Sequence, residues 1–358
     1  MAVFYILLLA PLAIQHFEFK RNKINFKNKN ETSLLFFFVF LTALVMFRHE
    51  SVGSDTTIYM YIFSRHSSLP WGGLFGESAE FGFVFYNKII SLFTKNNQAY
   101  FAITAILTSA MIYPTYKRLC VDSALTIVLY TTMSTFVMAF SGIRQMLAIG
   151  IGVLAYECTR NKKIIPFVLL VLLAMSFHTS AFMLAFMYPL YHAKITKRWL
   201  FAVIPTLAVV FVFNQQIFLM LALVLERYTK YDASIVQTGA YTMLILFGLF
   251  AIFSFLIPKD SALDQETIGL RNFLLFSVAL QMFAPLHTIA MRMNYYYIIF
   301  IPLLIPKIIE ARGDRWKQVA VVGRNIMVVF FLLYFFYNAY VATNNLHVFP
   351  YHFFWETV

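Results

Sequence analysis

The chain has 358 residues, of which 61% are hydrophobic and only 12% are charged. Water-soluble domains carry about a quarter charged residues, so this composition excludes a soluble globular protein. The formal net charge is +12, but the basic residues are spread over short loops and form no single patch that would indicate a nucleic-acid partner. The two cysteines, Cys120 and Cys158, lie in no disulfide, zinc or redox spacing. The sequence therefore predicts an all-α polytopic integral membrane protein.

Apolar runs between charged residues predict about 12 transmembrane helices. The first run lacks the basic start of a signal peptide, so it is read as a membrane helix. A further stretch, 81–93, is short and carries Asn87 and Lys88, which predicts a re-entrant or interfacial segment. The predicted spans are residues 1–17, 33–47, 99–113, 122–140, 142–157, 164–177, 179–193, 199–224, 239–257, 271–286, 295–309 and 322–341.

The distribution of Lys and Arg predicts the orientation of these spans, because cytoplasmic loops concentrate both residues. With both termini outside, twenty of the 28 basic residues fall on the inner side. The prediction is then a single transmembrane domain over 1–358, with its longest external loop, including interfacial helices, at 48–98 and an external tail at 342–358.

The first group of outer polar residues runs from Arg48 to Thr57, after the second predicted span. Ionisable groups near lipid are costly, so each of them needs a physical reason. Asp55 is either an N-cap of a helix that begins at Thr56 or a general base. Arg48 either snorkels to lipid headgroups or binds an anionic ligand.

The second group, Ser141 to Gln145, interrupts a long apolar run. A glycine followed by Arg144 and Gln145 at a helix start places free backbone N–H groups beside a guanidinium, which is typical of a phosphate or diphosphate site. The alternative is an arginine that only marks a turn between two helices.

The third group surrounds His178, between two short apolar arms. This histidine is either a hydrogen-bonded structural residue or a general base for a sugar hydroxyl. The fourth group places Arg292 just before Tyr295, Tyr296 and Tyr297. These rings form either an interfacial aromatic belt or a wall that stacks on sugars.

Arg48, Arg144 and Arg292 thus belong to separate predicted helices but to one side, together with His178 and Asp55. Such a set suits a ligand with an anionic headgroup, a lipid tail and a saccharide. In glycosyl transfer, arginines stabilise a diphosphate leaving group, and His178 or Asp55 is the candidate base. The few outer carboxylates form no cluster, which favours a mechanism without a metal or another cofactor.

Four elements in this order resemble those of the EpsG-type, Wzy-like polysaccharide polymerases. They are Arg48-x₃-Val52-Gly53-x-Asp55-x₃-Tyr59, Ser141-Gly142-Ile143-Arg144-Gln145, Phe177-His178-x-Ser180-Ala181 and Arg292-x₂-Tyr295-Tyr296. The resemblance covers most of the chain and implies a GT-C-like helical fold in a bacterial cytoplasmic membrane. It also implies metal-independent chemistry on the external face that depends on the matching arginines Arg48, Arg144 and Arg292.

The activity that the resemblance implies is polymerisation of undecaprenyl-diphosphate-linked repeat units into O-antigen, capsule or exopolysaccharide. The expected partners are these lipid-linked oligosaccharides, membrane lipids and a co-polymerase that sets chain length. Three other readings stay open from the sequence. They are a ligase or other membrane transferase, a flippase or transporter of the same lipid-linked unit, and a membrane scaffold without enzymatic activity.

Overall fold

The computed structural model describes residues 1–21, 26–224, 239–341 and 346–358. Within these ranges the chain folds into α-helices and short 3₁₀ turns, without a β-strand. The all-α prediction is therefore confirmed for the described residues. Contacts divide the chain into two compact units, Met1–Ala185 with Val321–Val358 and Phe186–Ala320. The predicted single transmembrane domain stays a prediction.

The first unit contains the N-terminal helices and almost all of the last helix. They are α1 (Ala2–Arg21), α2 (Phe26–Met46), α3 (Thr56–Ser68), α4 (Phe81–Ser91), α5 (Asn97–Leu119), α6 (Ser123–Thr132), α7 (Ser134–Ser141), α8 (Ile143–Arg160), α9 (Ile164–Phe177) and α17 (Lys317–Val341). The second unit contains α10 (Met187–His192), α11 (Leu200–Val212), α12 (Asn214–Val224), α13 (Gly239–Leu256), α14 (Gln265–Gln281), α15 (Thr288–Ile298) and α16 (Ile301–Glu310).

Two predicted spans are bent. The span 122–140 is divided at Met133 into α6 and α7, which meet at 62°. The hydroxyls of Thr131 and Thr132 donate to carbonyl groups one turn earlier, and such back-bonding bends helices. A second bend of 75° divides the span 199–224 between α11 and α12.

By length and composition, one helix among the described residues, Asp314–Val341, can cross a membrane by itself. The two bent pairs raise the count to three if each is one span. Four shorter apolar helices accompany them, Ala2–His16, Asn30–Met46, Ile164–Phe177 and Ala240–Leu256. These lengths support a membrane protein but do not confirm the predicted number of spans.

Helix α4 corresponds to the stretch predicted to be re-entrant or interfacial. Its 11 residues rise about 16 Å, roughly half of the hydrocarbon thickness of a bilayer. One side of α4 is buried through Phe83, Val84, Asn87 and Ile90. Aromatic residues from α3, α4 and α5 share a hydrophobic cluster with Ile143 and Leu147 of α8. This cluster fixes the segment 56–91 against the first turns of α8.

The C-terminal tail pairs with the loop that follows α2. The Tyr351 hydroxyl donates to the carbonyl of Leu44 at 2.8 Å, although 307 residues separate them. Gly53 has φ +93°, and a β-carbon there would strike the carbonyl of Phe140, so this turn requires glycine. Four backbone hydrogen bonds complete the pairing, His49 to His352, Gly53 to His347, Ser54 to Leu346 and Phe354 to Phe47.

Candidate functional site

Arg144 lies in the first turn of α8, two residues after the N-cap residue Gly142. The first N–H groups of a helix have no partner within it, so they add positive potential beside the guanidinium. The Arg144 side chain is 29% exposed, and its Nη1 donates to Oε2 of Glu80 at 2.7 Å. Its Nε is buried and donates to no described residue. The predicted helix start is confirmed, and the arginine keeps unused donor capacity.

Glu80 connects Arg144 to a distant part of the chain. Its Oε1 accepts from the Thr179 backbone N–H at 3.0 Å and from the Thr179 hydroxyl at 2.9 Å. Burial raises the pKa of Glu80, but the hydrogen bonds from Thr179 and the positive charge of Arg144 outweigh it. The net effect lowers the pKa of Glu80, so its carboxylate is ionised at neutral pH.

His178 is the C-cap residue of α9, and a 3₁₀ helix begins at the next residue, Thr179. Its Nδ1 lies 2.7 Å from the Ser180 hydroxyl and also accepts the Ser180 backbone N–H at 3.3 Å. Through Glu80, the structure therefore brings Arg144 and the His178 turn, two of the predicted groups, into one site.

Tyr59 and Phe83 form the apolar wall of this site. The guanidinium carbon of Arg144 lies 5.7 Å from the centre of the Phe83 ring, within cation–π range. Tyr59 is 6% exposed and its hydroxyl faces Arg144. Burial raises the pKa of Tyr59 more than the charge of Arg144 lowers it, so this hydroxyl stays protonated at neutral pH.

Asp55 occupies the N-cap position of α3 but makes no capping hydrogen bond through its side chain. The predicted N-cap position is confirmed, but the carboxylate does not cap the helix and instead accepts from the Ser54 hydroxyl at 3.1 Å. Its negative charge lies close enough to Tyr59 to raise the pKa of that hydroxyl. Asp55 thus lies near the Arg144 site, and its backbone carbonyl accepts from the Tyr59 N–H at 3.0 Å.

Arg48 is only 1% exposed, so the interpretation that it snorkels to headgroups is wrong. Its Nη1 donates to the Val45 carbonyl at 2.6 Å, its Nε lies 3.4 Å from the Thr56 hydroxyl, and the guanidinium carbon is 4.3 Å from the Phe101 ring centre. Burial lowers the pKa of Arg48 to about 10, so it remains charged at neutral pH. These contacts give Arg48 a supporting position beneath the loop that follows α2.

The other predicted ligand-binding residues divide by burial. Arg292 is exposed on α15 of the second unit, whereas Tyr295 and Tyr296 are 5% and 1% exposed. Rings buried in this way offer no face to a saccharide, so their burial does not support a sugar-stacking wall. Gln145, the residue after Arg144 in α8, is 2% exposed. Burial and the charge of Arg292 lower the pKa of His287, which precedes α15.

Three residues that contact the predicted groups were not identified from the sequence, namely Glu80, Thr179 and Tyr59 as a partner of Arg144. Glu80 appears in the sequence only as an acidic residue before an apolar stretch. In the part of the chain that the structure describes, no group of three or more His, Cys, Asp or Glu side chains is arranged to hold a metal ion. Two of the predicted outer basic residues, Arg227 and Lys230, lie outside the described residues.

The apolar helices define a helical membrane protein. The model of the EpsG family matches residues 31–353, which is most of the chain and includes Arg48, Glu80, Arg144, His178 and Arg292. The chain belongs to the EpsG family, whose members are membrane proteins of the polysaccharide polymerase type. This confirms the resemblance seen in the sequence motifs. No curated protein and no solved structure gives a significant match to the chain.

Proposed function

We propose that this protein polymerises undecaprenyl-diphosphate-linked oligosaccharide repeat units on the external face of a bacterial cytoplasmic membrane. The growing chain moves from its lipid diphosphate to the non-reducing end of a new lipid-linked unit. The observation that carries this proposal is the state of Arg144, a partly exposed guanidinium at a helix N-terminus that keeps an unpaired donor and lies beside the His178 turn.

The proposed reaction is a metal-independent glycosyl transfer. As the bond from the anomeric carbon to the diphosphate oxygen breaks, negative charge grows on that oxygen, and Arg144 with the first N–H groups of α8 stabilises it. The acceptor hydroxyl forms the new bond to the anomeric carbon and gives its proton to His178. Undecaprenyl diphosphate leaves. Asp55 is the alternative base.

The first test uses purified protein in detergent with a lipid-linked repeat unit and EDTA, followed by separation of the products on a gel. A ladder of increasing repeat number is the expected result. Unchanged substrate would contradict the polymerase. Substrate that instead crosses the bilayer of a proteoliposome would assign a transporter, and transfer only to a different acceptor would assign a ligase.

The second test assigns the leaving-group role to Arg144. We expect Arg144→Ala to reduce the rate by about 100- to 1,000-fold, and Arg144→Lys to rescue it poorly because an ammonium makes no bidentate contact with a diphosphate. The matched control is Arg65→Ala, which removes an arginine that is 53% exposed on the same external segment and pairs with Glu77. A normal ladder from Arg144→Ala would exclude this role.

The third test distinguishes the two candidate bases. His178→Gln keeps hydrogen-bonding capacity but takes up no proton, so we expect a loss of about 100-fold or more. A loss below about tenfold would mean that His178 only orients the sugar. In that case Asp55→Asn should give the larger loss.

A further inference from the structure

Glu80 links two segments that the sequence keeps far apart. Its carboxylate lies 64 residues from Arg144 and 99 residues from Thr179 along the chain, yet it bonds to both. One oxygen takes the Arg144 Nη1, and the other takes two hydrogen bonds from Thr179. Both oxygens are thus occupied by donors that belong to the proposed site.

The position of Glu80 is set by α4, which begins at the next residue. Gly82 packs so closely against Ser176, near the end of α9, that a β-carbon at this position would overlap its side chain. Farther along the helix, Nδ2 of the buried Asn87 lies 2.9 Å from Nδ1 of the buried His66 in α3. Because α4 is anchored at both points, Glu80 is held in place and does not reach Arg144 by chance.

The charge of Glu80 indicates whether this residue acts as a general base or holds other groups in position. The lowered pKa of Glu80 makes it a weak proton acceptor at neutral pH, since an effective general base has a pKa near the working pH. An ionised carboxylate with three donors around it is instead suited to hold those donors in a fixed arrangement. It takes one end of the Arg144 guanidinium and leaves Nε without a described partner.

We propose that Glu80 is the positioning residue of this site: it orients Arg144 toward the diphosphate and fixes the His178 turn beside it. This inference rests on the proposed function and deepens it. Leaving-group stabilisation and acceptor activation occur on opposite sides of one anomeric carbon, so their separation has to be fixed. A misplacement of about 1 Å in such a site reduces rates by about 100-fold.

The test is a double-mutant cycle on polymer formation, with Glu80→Gln, Arg144→Ala and the double variant. We expect Glu80→Gln to reduce kcat by about 30- to 100-fold with KM changed less than about threefold, because the group does not touch substrate. In the Arg144→Ala background the same change should cost less than about twofold, because no arginine is left to orient and the glutamine keeps an oxygen that accepts from Thr179. The matched control is Glu157→Gln, which changes a carboxylate that is 29% exposed and pairs with Arg118 and Arg160 away from this site, and it should leave kcat within about threefold.

The outcomes separate the two proposals. A wild-type protein that makes no ladder overturns the proposed function and the role of Glu80 with it. A wild-type ladder with a fully active Glu80→Gln overturns the positioning role alone, as do losses that multiply in the double variant. If Glu80→Gln is not monodisperse in detergent, Thr179→Val tests the same contact by deleting one hydrogen bond. That variant should lose about three- to tenfold in kcat, and normal activity would overturn the proposal.

Discussion

Two arginine–carboxylate pairs of the first unit have nearly the same solvent exposure but differ in their hydrogen bonds. In the Arg144–Glu80 pair the side chains are 29% and 21% exposed, and in the Arg324–Asp122 pair they are 27% and 22% exposed. Exposure alone would therefore assign both pairs the same role.

The difference is how many donors each arginine uses. Arg324 donates from Nε and Nη2 to the two oxygens of Asp122, at 2.7 and 2.8 Å, and from Nη1 to Asn325. Asp122 also caps α6 through the Leu125 N–H. Arg144 gives Glu80 only Nη1. An arginine whose nitrogen atoms are all engaged joins helices, whereas Arg144 combines a partly exposed guanidinium with an Nε that has no described partner.

The largest expected difference between the pairs is in activity. Arg144→Gln should reduce polymer formation by about 100- to 1,000-fold, or about 3–4 kcal/mol in the barrier, because it removes a donor to the leaving group. Arg324→Gln should leave the rate per folded protein within about threefold. The gel assay, normalised to monodisperse protein, measures both. Equal losses would contradict the distinction drawn from donor use.

The second difference should appear in stability. Asp122→Asn leaves the Arg324 charge without its carboxylate, and we expect a loss of about 1–3 kcal/mol, between the values for exposed and buried pairs. Thermal unfolding in detergent measures this loss. The double variant with Arg324→Gln should recover part of it. An unchanged unfolding temperature for Asp122→Asn would show that the bidentate pair does not join α17 to α6.

The pH dependence of stability sharpens the same point. Burial raises the pKa of Asp122, but the hydrogen bonds and charge of Arg324 lower it further than burial raises it. A carboxyl whose folded pKa is depressed stabilises the protein above its unfolded pKa of about 3.9, and this stability is lost as the pH falls through the folded value. We therefore expect no contribution from Asp122 to the change between pH 7 and pH 5. Asp122→Asn should flatten the loss below about pH 4, and parallel curves would contradict this assignment.

The smallest effect is expected at His66, which helps to anchor the segment that carries Glu80. Burial lowers the pKa of His66, and the nearby Glu77 only partly opposes this. A histidine with a depressed folded pKa favours the unfolded state once it is protonated. Its stabilisation is complete above about pH 6.5 and is lost as the pH falls through the folded value. Stability measured by unfolding should fall modestly in the wild type between pH 6.5 and pH 5, and His66→Gln should remove this fall. Identical pH–stability profiles of the two proteins would contradict the role of His66.

Local patterns in the sequence predicted the helical class and the individual arginine and histidine groups. Gly142 before Arg144 indicated a helix start, and the structure begins α8 there. The Glu80 bridge could not be predicted, because no sequence pattern links Glu80 to Arg144, 64 positions away, or to Thr179, 99 positions away.

The errors also have physical causes. The tyrosines after Arg292 resemble an interfacial belt in sequence, but their rings on α15 are buried. The bend at Met133 follows two threonines whose hydroxyls bond to their own helix, and hydropathy does not register such bonds. Long-range contacts and side-chain competition for backbone carbonyls thus limited the prediction.

The pairing of the C-terminal tail with the loop after α2 has a consequence for biogenesis. Leu44 and Tyr351 are 307 residues apart, a delay of about 15–60 s at synthesis rates of about 5–20 residues per second. During that interval the backbone groups of residues 47–54 have no tail to bond to. The loop that carries Arg48 therefore reaches its final arrangement late, after residues 346–354 have been translated.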